Sequence, residues 1–216
     1  MKKNKGLDAY TPEEEVANAI THGLGIIACL IGLIYTIIQP STLAFNIKAS
    51  VSIFFISGIT LYTASTLYHS VKSKKRKYLF KKLDHISIYL LIAGTFTPFA
   101  WGVLGETNYG RNMLLGAWSI ALAGIIFKIF FTGKYEVISL LSYLGMGWLG
   151  FLMFGKISDE IGKEAVNYML YGGGAYTLGV VFYLMRKVKY HHAIWHLFVL
   201  VGTAFHAYAI LEFVLN

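Results

Sequence analysis

Cysteine is almost missing from this sequence: 216 residues contain one, Cys29. With no second thiol, no internal disulfide framework can exist. Cys29 falls inside the first apolar run, where a lone thiol acts as a small buried hydrophobe. Charge is scarce as well. Only 14% of residues are charged and 56% are hydrophobic, whereas average soluble domains carry roughly a quarter charged residues. That balance excludes an ordinary cytosolic fold. No phosphate-cradling loop and no convincing internal repeat stands out. A cleavable leader is not expected either. Met1 to Thr11 is polar, and Glu13, Glu14 and Glu15 precede the first apolar run, so the first helix should remain in place.

What the chain does have is apolar length. Seven stretches run over about 17–38, 46–70, 84–104, 112–132, 137–155, 165–185 and 192–214, each near the ~20 residues that one bilayer crossing needs. The connections between them are short. The sequence therefore predicts an all-α, polytopic membrane protein, a single seven-helix domain over residues 1–216 with no separate soluble part. Glycine is plentiful, including Gly172, Gly173 and Gly174 in the sixth stretch, and in membrane helices this favours close packing.

The net charge of +8 does not imply nucleic acid, because the basic residues lie between the apolar stretches. Topology and anionic lipid account for them. With the N-terminus placed in the cytoplasm, that side receives Lys2, Lys3 and Lys5, the seven basic residues of a Lys72–Lys82 loop, Lys128 and Lys134, and Arg186, Lys187 and Lys189. The opposite side receives Lys48, Arg111, Lys156 and Lys163, four of the nineteen. The positive-inside rule then predicts the N-terminus inside and the C-terminus outside.

The seven histidines sharpen this picture. His22, His69, His85, His191, His192 and His196 all fall toward the cytoplasmic ends of their stretches, and only His206 lies deeper. His192 and His196 are four apart and share a helical face. A third imidazole from another helix would complete the three-ligand pattern of catalytic zinc sites, and His69 has matching depth. Ser65 sits one turn deeper on the face of His69, placed to orient a ligand. Asp84 opens the third stretch, where an acid is costly without a partner; beside a metal it could hold or deprotonate a water. His85 is as readily an interfacial anchor or interhelical hydrogen-bonding group as a replacement ligand or a donor behind the ligands. His191 points away from the 192/196 face by ~100°. His206 returns to that face about 15 Å deeper than His196, too far for the same ion. Haem fits less well, since His192 and His196 crowd one side.

At these residues the chain resembles the hemolysin III family, the bacterial branch of the progestin and adiponectin receptor superfamily. Three motifs carry the likeness: Glu15-x-x-Asn18-x-x-x-His22; Ser65-x-x-x-His69 followed by Asp84-His85 and the Gly94–Phe99 stretch; and His192-Ala-Ile-Trp-His196 with His206 beyond. The resemblance spans about residues 12 to 214. It implies a seven-helix bundle in a bacterial plasma membrane, with Zn2+ on His69, His192 and His196. In that picture Asp84 stands beside the zinc and Ser65 nearby, with Glu15, Asn18 and His22 in structural or supporting roles. Where the receptors typically carry tyrosine after the aspartate, this chain has His85.

Two functions follow as expectations. The first is a zinc-dependent hydrolase of lipid amides or esters, with Asp84 as general base. The second is a non-enzymatic membrane protein with structural zinc, serving membrane homeostasis or cytolysis. The partners expected are membrane lipids and not nucleic acid. A ligand receptor is disfavoured, because roughly fifteen residues before the first stretch leave no room for a signalling domain.

Overall fold

The first helix shows the logic of the whole fold. In the computed structural model, which describes residues 10–215, α1 spans Pro12–Ile38. Its buried positions are Glu14, Asn18, His22, Gly25, Cys29, Gly32 and Thr36, in steps of three and four that trace one helical face. Its exposed positions include Val16, Ile20, Leu24, Ile27, Ile31 and Ile34. A helix in water turns its apolar stripe inward; α1 turns it outward and buries small and polar residues. That inversion suits a lipid solvent, where association depends on close packing and interhelical hydrogen bonds.

The start of α1 is fixed locally. The Thr11 hydroxyl accepts from the Glu14 N–H at 3.3 Å, and the Glu14 carboxylate accepts from the Thr11 N–H at 2.9 Å. This reciprocal pair, with Pro12 in the first turn, is a capping box on a pre-organised helix start.

Six further helices follow among the described residues: α2 (Phe45–Ser70), α3 (Lys74–Val103), α4 (Asn108–Phe131), α5 (Glu136–Ile161), α6 (Lys163–Leu184) and α7 (His191–Leu215). The last turns of α3 widen from Pro98 onward, where the missing N–H interrupts the regular ladder. The middle of α5 tightens over Leu149–Met153. The described residues contain no strand, so the all-α expectation holds.

Six of the helices, all but α6, are long and apolar enough to cross a membrane. Helix α6 has the length, 22 residues, but it carries Asn167 and the tyrosines 168, 171, 176 and 183.

Some boundaries differ from the sequence expectation. The expected Lys72–Lys82 loop is helical from Lys74 onward; a run of basic residues is compatible with helix once its side chains can reach solvent and headgroups. The fifth helix continues through Lys156 to Ile161, leaving only Gly162, at a positive φ of 90°, before α6. Lys2, Lys3 and Lys5 lie outside the described residues.

Helices α1 to α4 pack in chain order, α6 lies along α7, and α7 returns against α1. The α1–α7 contact gathers the starts of α1, α3 and α7 and the end of α2 at one end of the bundle. Glycines allow the closest approaches. A Cβ at Gly25 would lie 2.7 Å from the Tyr62 ring, and one at Gly172 would lie 2.5 Å from His206 Nε2. The first glycine of the 172–174 run thus serves packing, as expected, while Gly174 faces open space.

Candidate metal centre

The site is built where α7 begins. Tyr190 precedes α7 in the left-handed region, at φ 60°, which a non-glycine residue occupies only when its surroundings hold it there. Glu14 supplies that hold, since its carboxylate accepts the Tyr190 N–H at 2.9 Å. One side chain therefore caps α1 and anchors the turn into α7, which sets the register of His192 and His196 against α1 and α2.

His69, His192 and His196 are all buried, and one ring nitrogen from each lies within 4.8 Å of the others. The three can hold a metal ion, and their hydrogen bonds fit that use. His69 Nδ1 lies 2.6 Å from Glu15 Oε2 and donates to it, and His196 Nδ1 donates to the Asn18 carbonyl at 3.1 Å. Both bonds fix the proton on Nδ1 and leave Nε2 with its lone pair. Those Nε2 atoms, and both nitrogens of His192, are buried without a hydrogen-bond partner in the protein. Buried unpaired polar atoms are costly, and three converging imidazoles are a chemically apt donor set for a divalent ion such as zinc.

The remaining predicted residues fall around this group. Asn18 also places its side-chain nitrogen 3.4 Å from His69 Nδ1. His22 stacks on His196 with ring centroids 3.5 Å apart and planes 11° from parallel. Ser65 is fully buried, with its hydroxyl beside the Asp84 carboxyl. Asp84 is buried and lines a cavity of about 320 Å³ that also opens onto His192 and His85. His85 is outside the three-histidine group; its carbonyl accepts from the Tyr143 hydroxyl at 2.9 Å. His191 lines the cavity but does not join the group, and His206 lines its far part.

The cavity reaches from these polar groups down between α3, α5, α6 and α7, past Leu91, Phe96, Met153 and Val199. One end is polar and charged and the body is apolar, the lining expected of a site for an amphiphile.

Residues 10–207 match the family model described as Haemolysin-III related. The chain belongs to the haemolysin III family. It is 42% identical to a Hemolysin-3 homolog of Bacillus subtilis over 197 residues, covering 90% of this chain and 92% of that one. It is 41% identical to Hemolysin-3 of Bacillus cereus over 206 residues, with 94% and 93% coverage. A human relative, Monocyte to macrophage differentiation factor, is 30% identical over 209 residues, covering 93% of this chain and 84% of that protein.

Within this haemolysin III chain, three contacts at the site escaped the sequence reading. Lys77 Nζ pairs with Glu15 Oε1 at 2.6 Å, so the acid behind His69 is itself anchored. Thr21 brings its hydroxyl 3.1 Å from His196 Nδ1. Tyr10 stacks on His192 at 4.8 Å between centroids, and burial pushes its phenol pKa up, which keeps it a neutral ring. Lys77 was hidden in a run of basic residues; the other two carry no spacing signal.

Proposed function

We propose that this protein is a membrane-embedded, zinc-dependent hydrolase of lipid amides or esters, with seven membrane-spanning helices, α6 included. Its site would lie near the cytoplasmic face of a bacterial plasma membrane. The observation that carries this reading is the opening of His192 and Asp84 onto one largely apolar cavity. A purely structural ion has no need of such an opening.

In this reading His69, His192 and His196 hold the ion through ring nitrogens left free of hydrogen bonds. When bound, zinc supplies Lewis acidity that polarises a carbonyl and makes water a better nucleophile at neutral pH. The protein's own residues do the rest. Glu15 and the Asn18 carbonyl fix the tautomers of His69 and His196. Asp84 accepts a proton as the nucleophile attacks and returns it to the leaving amine or alcohol. Ser65 orients the Asp84 carboxyl. The apolar walls take the hydrocarbon part of the substrate and keep bulk water away. The orientation rests on Lys74–Lys82 and Arg186–Lys189, which cluster at the site's end of the bundle and favour the cytoplasm.

The test is hydrolysis of chain-labelled lipid amides and esters by detergent-purified protein. Activity is expected in the wild type and not in Asp84→Asn, with about one zinc per chain in both. A metal-replete wild type inactive on the whole panel would leave the non-enzymatic, structural-zinc reading, to which the name of the Bacillus cereus relative adds a lytic role for that protein.

A further inference from the structure

Lys128 stands on α4 at the charged end of the cavity and is only 1% exposed. From the sequence it counts as one of the basic residues that set topology, yet it faces inward. Among the described residues its ammonium has no hydrogen-bond or ion-pair partner. The carboxylate whose field it feels is Glu136, already paired with Arg186 at 2.6 Å, and Lys81 opposes it. Lys81, Lys128 and Arg186 therefore line one end of the cavity, with Asp84 and Glu136 as the acids among them.

Burying a lysine charge without a partner is expensive. Lys128 lies in the last turn of α4, but the helix dipole returns only a fraction of that cost. A surface role in orientation needs no burial either. An anionic ligand in the cavity would account for the position, and the long apolar body beyond requires that the anion carry a hydrocarbon chain.

We infer that the cavity takes an amphiphile with an anionic phosphate headgroup, held by the Lys128 ammonium beside Lys81 and Arg186. This rests on the hydrolase reading only for its claim about substrate; the claim about binding is independent of turnover. Asp84, His85 and His192 line the same cavity, so the headgroup would be held at the metal end with its chain running toward His206.

The test measures binding to detergent-purified, metal-replete protein, using a single-chain lysolipid with a phosphate monoester headgroup. Comparators are the same chain with phosphocholine, and inorganic phosphate alone. The monoester should bind at least tenfold more tightly than either. Lys128→Met, which keeps the length and removes the desolvation cost, should fold, retain its metal and lose the preference. Lys128→Arg should keep most of it, and Lys75→Met, on the exposed start of α3, should change nothing. Equal affinity for the two lysolipids overturns the inference, as does a preference that survives in Lys128→Met. Inorganic phosphate binding as tightly as the lysolipid would make this a free-anion site and sink the lipid form. A preserved preference in a protein inactive on every lipid would defeat the hydrolase reading alone.

Discussion

Glu15 Oε2 receives the Nδ1 proton of His69 at 2.6 Å, while the other oxygen of the same carboxylate holds Lys77 Nζ at 2.6 Å. The acid thus connects His69 on α2 to a cation on α3 from a position on α1. It orients the imidazole, raises the basicity of Nε2, and is itself kept from rotating.

Glu15→Gln should fold but bind metal about 10- to 100-fold more weakly, the usual cost of losing such a partner. Zinc retention measured against a graded chelator checks this. Unchanged retention would mean that the Glu15–His69 bond plays no part in metal affinity.

Alanine at His69, His192 or His196 should each reduce bound zinc from about one per chain to well below that, because two imidazoles rarely hold the ion alone. Alanine at His191 or His85 should leave the stoichiometry intact. Elemental analysis of the five variants, purified in parallel, separates the sets. Loss of the metal in His85→Ala with retention in His69→Ala would reassign the third ligand.

Asp84→Asn keeps shape and removes the proton acceptor. Hydrolysis should fall about 10²- to 10⁴-fold with zinc retained. A parallel loss of zinc would instead make Asp84 part of the metal's hold.

Gly172→Ala places a methyl 2.5 Å from His206 Nε2, so it should destabilise the protein by about 1–3 kcal/mol. The double variant with His206→Ala should recover part of that, because the clash is with one side chain. Thermal unfolding in detergent reads both. Equal destabilisation with and without His206 would show that the pressure at Gly172 comes from elsewhere.

Much of the site was legible in the chain because membrane crossing restricts what a sequence can do. Apolar length forces helices, since every backbone polar group must be satisfied within its own segment in lipid. Short connections then place His69, His192 and His196 at one depth, and the four-residue step puts the last two on one face. Lys77 and Lys128 were not legible. Each reads as a generic positive charge in a basic segment, and only its rotation about the helix axis distinguishes an inward cation from an outward one. That rotation is set by packing against neighbouring helices, which charge counting does not see.

The apolar runs and the depth of the histidines were determined by the sequence alone, because bilayer thickness and helical rise convert residue number directly into position. The tertiary structure decided which nitrogens are left free, which acid stands behind His69, and that Lys128 faces a cavity. Those depend on how α1, α3 and α7 turn toward one another, and the Glu14–Tyr190 bond and the glycine contacts settle it through contacts far apart in the chain.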